Sequence, residues 1–279
     1  MTGGPPTGVL DPSYNKTYEL MVGLLQDLND TFSDNMIHLG GDEVIGDCYK
    51  ENPDIDQFMK DNNITAGNYD GLVTYHQNKS RILLRQLNKD KVGVYWSNQE
   101  TYYQTYQDDD VIVYWGLVKE FEPVKELYKN QKIVLAPGDH YYMDCGFGNK
   151  YGSNAWCDPF KTWWSIYQFE PSALYNSTQV LGTSIASWSE LNGDENIHAK
   201  TWPRGAAMSD KVWGPLVDLD LIKVMQRQVK FATYLANRGI PTSPVTGRYC
   251  EAFTEECFSL FNQTSHFEEP EAITESVVY

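Results

Sequence analysis

The segment Met36-Ile-His-Leu-Gly-Gly-Asp-Glu-Val44 collects residue types that can transfer protons. Asp42 and Glu43 are adjacent carboxylates, set after two glycines at the end of a short apolar run. Two carboxylates held together resist double ionisation, so one pKa is expected to rise and make a general acid available near neutral pH. Gly40 and Gly41 would let the backbone turn sharply and leave room for a substrate close to the chain. An Asp-Glu pair taken alone is most often a solvated turn, so this reading depends on what else the chain brings to the same place. His38 lies four residues before Asp42 and is expected to steady the carboxylates.

The elements that must position this segment are legible as a pattern. Tyr18, Met21, Leu25 and Leu28 recur at helical spacing and predict an amphipathic helix over about 14–30. The apolar run that ends at Gly40 reads as a strand, and 53–60 and 67–88 read as helices. Val92–Trp96, Val111–Trp115, Lys132–Ala136 and Val180–Trp188 read as continuously apolar strands, with a long loop before the last. Helices are expected at 118–128, about 202–213 and 217–238. The last is lined by Leu221, Met225, Val229, Ala232 and Ala236, and Gly239 and Pro241 stop it. Alternating strands and helices with unbroken apolar strands predict a buried parallel sheet in an α/β fold. Five strand–helix units are readable, whereas a closed (β/α)₈ TIM barrel has eight. The expectation is therefore an incomplete barrel.

Functional residue types recur at the strand ends. Asp42 and Glu43 follow the first strand, Trp96 and Trp115 close the next two, Asp139–Asp144 follows the fourth, and Trp188-Ser-Glu190 closes the fifth. A single tryptophan there is more often core than ligand wall. The same position on successive parallel strands puts all of them at one barrel mouth. Indoles with carboxylates and a tyrosine at the rim suit a neutral sugar bearing an apolar substituent.

Bulk properties narrow the classes. The chain has 279 residues, 41% hydrophobic and 14% aromatic, enough for one sizeable core. Its net charge of −16 argues against nucleic acid or an anionic membrane as partner. No stretch approaches the roughly 20 apolar residues of a membrane span, and the first residues lack the pattern of a signal peptide. Six N-x-S/T sequons, at Asn15, Asn29, Asn63, Asn78, Asn176 and Asn262, point outside the cytosol. Cys145 with Cys157 and Cys250 with Cys257 are plausible local disulfides, unpaired thiols being the alternative, and Cys48 is the odd one. No Cys/His spacing matches a zinc site.

His38-Leu-Gly-Gly-Asp-Glu43 resembles the signature of glycoside hydrolase family 20, the β-N-acetylhexosaminidases. Leu10-Asp-Pro12, Thr17-Tyr18, Trp96, Trp115, Tyr142-Met-Asp144, Trp188-Ser-Glu190 and Trp202-Pro-Arg204 agree with it. The run from Asp144 to Trp163 is similar to fungal and protist members. The resemblance covers about residues 3–262 and implies the C-terminal portion of a TIM-barrel catalytic domain, about strands 4 to 8, followed by an acidic, mobile tail over 263–279. It also implies that a small α/β domain, three strands and a sugar-gripping arginine of the family have no counterpart in this chain.

By the same resemblance the activity is that of a retaining exo-β-N-acetylhexosaminidase using substrate assistance, an exception to the two-carboxylate scheme. Glu43 would be acid and then base, Asp42 would hold the acetamido N–H, and Tyr142 would donate to the acetamido oxygen. Trp96, Trp115 and Trp188 would enclose the acetyl group and the ring, and Asp144 and Glu190 would bind hydroxyls. Family members need no metal, so none is expected despite His38 and Asp139-His140, and no cofactor is expected. The partner would be an N-acetylhexosamine-terminated glycan, the setting secreted or lysosomal/vacuolar, with a homodimer of the full-length protein left open. The position of Cys48 pairs upstream in relatives. A non-hydrolysing sugar-binding fragment or inactive relative is the alternative.

Overall fold

A computed structural model describes residues 9–98, 105–149, 151–171, 174, 178–214, 220–253 and 256. The described residues fall into two compact units, one of 1–160 with 169–186 and the other of 161–168 with 187–279.

The first unit is built on a five-stranded parallel sheet in sequential order. Its strands are β1 (Met36–His38), β2 (Val92–Ser97), β3 (Val111–Tyr114), β4 (Lys132–Leu135) and β5 (Val180–Thr183). Each strand pairs with the next in parallel register, so all five carboxyl ends share one edge. Sequential parallel pairing with helical crossovers is the build of a (β/α)₈ barrel, here as five of its units.

Alternation along each strand separates two apolar layers. Val94, Trp96, Val111, Val113, Val134 and Ala136 pack on one face. Ile112, Tyr114, Ile133 and Leu135 pack on the other against Phe121 and Tyr128. The central strand β3 is buried along its whole length, whereas β1 and β5 are only partly buried. Met36 at 49% and Leu181 at 48% exposure depart from the expected fully buried strands.

Helices α1 (Asn15–Thr31), α2 (Pro53–Asp61) and α3 (Tyr69–Leu87) lie where the periodicity puts them, within one or two residues. Asn52 caps α2 by accepting from the Asp54 amide at 3.1 Å, with Pro53 in the first turn, and Asn68 caps α3 by accepting from the Gly71 amide. The α1 stripe is corrected: Leu25 is buried, but Leu28 is exposed, as are Leu20 and Leu24 on other sides. The expected helix over 118–128 divides into α4 (Val118–Val124) and a 3₁₀ turn, Lys125–Tyr128. Pro123, which has no N–H to donate, sits at that junction.

The long loop before β5 contains two short helices not expected from the sequence, α5 (Gly138–Tyr141) and α6 (Trp163–Gln168). The strand expected over 180–188 ends at Thr183; beyond it Ser184 donates to the Leu135 carbonyl at 3.1 Å and Ala186 bridges to Tyr142.

The second unit holds α6, α7 (Ile197–Thr201), α8 (Arg204–Trp213), α9 (Leu221–Ala236) and α10 (Arg248–Ala252). Trp163 opens α6 and is buried with Tyr167, Ala207, Val224, Met225, Val229 and Val245. Its indole N–H donates to the Val245 carbonyl at 2.7 Å, which satisfies the polar tip of a buried ring. On α9 the inward face takes Val224 and Leu235, and Ala236 is outside it. The predicted helix over 202–213 begins at Arg204, after Pro203, and α7 precedes it.

Candidate active site

The Asp-Glu pair follows β1 without a break. The ladder runs past the strand end, because Leu39 donates to the Val94 carbonyl at 2.8 Å and Trp96 donates to the Gly40 carbonyl at 3.1 Å. The chain then leaves the sheet through Gly40 at φ 74° and Gly41 at φ 102°. Both values are left-handed and favour glycine, so the double glycine is needed by the turn. Glu43 also has positive φ, at 48°. A non-glycine residue held there costs conformational energy, and such residues concentrate at functional sites.

His38 braces this turn from below. Its Nδ1 accepts from the Gly40 amide at 3.0 Å. Its ring lies 4.7 Å from the Trp96 ring, tilted by 50°. Desolvation holds the imidazole below its ordinary pKa, with the charge of Asp42 pulling the other way. The neutral imidazole is therefore favoured, which suits an Nδ1 that accepts a backbone hydrogen bond.

Trp96, Trp115 and Tyr142 reach the same edge from β2, β3 and the loop after β4. Trp96 pairs with Val113, and the Trp115 amide, two residues further along, donates to the Ser97 carbonyl at 3.1 Å. Tyr142 is buried, with Trp115, Leu117, Ala155 and Ala186 packed around it and the Cys145–Cys157 pair. Met143 donates to the Ala186 carbonyl at 2.7 Å and Ala186 to the Tyr141 carbonyl at 2.9 Å, which moors the Tyr142 loop to the chain leaving β5.

Trp156 is a residue the strand-end argument missed. Its ring stands edge-on to Trp115 at 5.8 Å and edge-on to Tyr142 at 5.6 Å. Edge-to-face aromatic pairs at such distances are attractive, so Trp156 fixes both rings while remaining 51% exposed itself. Its place beside Cys157 was the available signal, since the Cys145–Cys157 disulfide returns that loop to Tyr142. The loop neck is further pinned by Asp158, whose carboxylate accepts from the Gly146 and Ala155 amides at 2.6 and 2.8 Å. Asp144 is half-buried in this loop.

The turn after β4 is tied to α4. Asp139 accepts from the Val118 amide at 3.1 Å, and its carboxylate lies 3.1 Å from His140 Nδ1. It joins the start of α4 to the chain that carries Tyr142.

Trp188 and Glu190 belong to the second unit, where both are exposed. Asn192 donates to the Trp188 carbonyl at 2.7 Å and to Ser187 Oγ at 2.9 Å, giving their loop a local frame. Of the cysteines, Cys145 and Cys157 form the expected disulfide and Cys48 is a free thiol. Cys250 lies in α10, whereas Cys257 falls outside the described residues, as do Asn176, Asn262 and the 263–279 tail. Among the described residues no helix is long and apolar enough to cross a membrane.

Comparisons with known proteins converge. The profile of "Glycosyl hydrolase family 20, catalytic domain" matches residues 1–216. Beta-hexosaminidase 1 of Coccidioides posadasii is 26% identical over 93% of this chain and 49% of its own length. The chitooligosaccharidolytic beta-N-acetylglucosaminidase of Ostrinia furnacalis is 26% identical over 91% of this chain and 45% of its own. The solved exo beta-N-acetylglucosaminidase of Vibrio harveyi in complex with N-acetylglucosamine superposes with a TM-score of 0.69 at 21% identity, over 85% of this chain and 37% of that one. The chain thus spans about half the length of the curated relatives it matches.

Proposed function

The chain belongs to glycosyl hydrolase family 20, and from that premise we propose that it supplies the acid/base part of a retaining exo-β-N-acetylhexosaminidase. The observation that carries the reading is the turn after β1, which runs through two left-handed glycines and a left-handed Glu43, with the Gly40 carbonyl accepting from the Trp96 amide. The substrate is a glycan ending in N-acetylhexosamine, in line with the names of the relatives, and the setting is secreted or lysosomal/vacuolar, in line with the sequons.

In the proposed reaction the acetamido oxygen of the substrate attacks its own anomeric carbon. The bond from that carbon to the leaving oxygen breaks, and Glu43 gives that oxygen a proton. Water then opens the cyclic intermediate, and Glu43 takes the proton back. Asp42 accepts from the acetamido N–H and balances the positive charge that develops there. Tyr142 donates to the acetamido oxygen and orients it. Such orientation is an intramolecular effect worth up to roughly 7–11 kcal/mol in ideal cases. Trp96 and Trp115 wall the acetyl methyl, with Trp188 as a third indole. Asp144 and Glu190 take ring hydroxyls. His38 acts by holding the turn.

The test is Glu43→Gln in the full-length protein. Turnover of an N-acetylglucosaminide with a poor leaving group should fall by roughly 10²–10⁴, and an activated aryl glycoside should suffer less in its first step. Unchanged turnover on the poor leaving group removes Glu43 from this role. A covalent sugar trapped on a protein carboxylate would sink substrate assistance and leave the hydrolase reading standing.

A further inference from the structure

The sequence presents six N-x-S/T sequons as equals, but the fold does not. Four of them, at Asn15, Asn29, Asn63 and Asn78, lie within described residues. Asn78 sits in the middle of α3 with its Oδ1 accepting from Arg81 at 2.7 Å. The hydroxyl of its sequon partner Ser80 is buried and donates to the His76 carbonyl at 2.7 Å. Asn29 is inside α1, donating to Asp30 and accepting from Asn88 at 3.3 Å. Asn15 is exposed at the start of α1, but its partner Thr17 is buried and its hydroxyl donates to the Asp11 carbonyl at 2.8 Å.

Asn63-Ile64-Thr65 differs from these in each respect. It lies between α2 and α3, so no helix closes over it. Asn63 and Thr65 are both exposed, as are Ala66, Gly67 and Asn68 after them. Asn63 has φ 57°, a left-handed conformation that asparagine accepts better than most residues. Ile64 between them points inward and packs against the cluster of Tyr49, Ile55, Met59 and Leu72. Its amide donates to the Met59 carbonyl at 2.8 Å. Gly71 leaves room for that anchor, since a Cβ there would lie 2.8 Å from Ile64 Cγ2. An anchored centre with outward flanks presents the asparagine and the threonine together on a fixed surface turn.

We propose that Asn63 is an N-glycosylation site of this protein, with the glycan seated over the exposed 63–68 turn. The donor is an oligosaccharide carried on a polyprenyl diphosphate. The Asn63 amide nitrogen bonds to the anomeric carbon, the bond from that carbon to the diphosphate oxygen breaks, and the amide loses one proton as the diphosphate leaves. In the folded chain the 63–65 sequon lies outside α2 and α3, whereas Asn29 and Asn78 lie inside α1 and α3.

The test is peptide mapping of the full-length protein expressed behind a secretion signal in eukaryotic cells. Release by peptide-N-glycosidase in heavy-oxygen water should leave a heavy-oxygen aspartate at 63. Asn63→Gln and Thr65→Ala should each remove one glycan from the intact mass, and Thr65→Ser should retain it. An unmodified Asn63 in secreted protein overturns the proposal, whatever the other sequons carry. The readout is mass and not turnover, so the result is independent of the hydrolase reading.

Discussion

The backbone amide of Gly138 donates to the carbonyl of Trp115 at 3.1 Å. Through this bond the turn after β4 lies directly on the end of β3, and the Tyr142 loop starts from a fixed point beside an indole. Glycine is required there by packing, because a Cβ would fall 2.2 Å from the edge of the Trp156 ring.

Gly138→Ala is therefore expected to push Trp156 out of its edge-on contacts with Trp115 and Tyr142. Overpacking of this kind costs roughly 1–3 kcal/mol. Thermal unfolding should show the lost stability, and kcat/KM on an N-acetylglucosaminide should fall with it. An unchanged melt and unchanged kinetics would show that Trp156 does not brace those rings.

The Cys145–Cys157 bond closes a short loop, with a sequence separation of 12. Replacing both cysteines by alanine should cost roughly 3 kcal/mol on the chain-entropy account. The same change loosens the neck that carries Trp156, so the substrate KM should rise in protein that is still folded. Comparing the melt and KM of the double variant with the parent protein checks both effects.

A buried ion pair joins α3 to the loop before β3. Arg81 Nε and Nη2 lie 3.1 and 2.5 Å from the Asp110 carboxylate, which also accepts from the Gln107 amide at 2.7 Å. Removing one member of such a pair strands the other charge, so Arg81→Met or Asp110→Ala should each cost about 3–5 kcal/mol. The double variant should lose less than the sum of the two, since it strands no charge. Denaturant melts of the three variants decide this, and simple additivity would show that the two residues act independently.

Stability should fall as the solution is acidified. Burial holds the His76 imidazole below its ordinary pKa of 6.5, and its Nδ1 is buried without a hydrogen-bond partner among the described residues. The unfolded chain therefore takes up this proton before the folded one does. The contribution is fully present above the unfolded value and is lost as pH falls from there towards the lower folded value. His38 shifts in the same direction, also mainly by desolvation. His76→Gln should make the midpoint temperature less dependent on pH between about 7 and 5. An equal slope in the variant would assign the acid sensitivity to other groups.

Local chemistry and periodicity made much of this protein readable from its residues. Alternating apolar runs and amphipathic stretches identify a parallel α/β sheet, because burial on both faces demands unbroken apolar strands. The left-handed turn at Gly40 and Gly41 was equally legible, since a double glycine beside two carboxylates has few other uses. What depended on distant partners was not readable. The partial exposure of β1 and β5 and the short α5 and α6 follow from how elements meet in space. Trp156 is not at a strand end, and it is the disulfide and the bareness of Gly138 that place its ring against Trp115 and Tyr142. The sequons, indistinguishable as strings, were separated only by helix formation and by the inward packing of Ile64. Periodicity reports which face of an element is apolar, but the contacts that fix a ring or expose an asparagine are made by residues far away in the chain, and only the folded chain determines them.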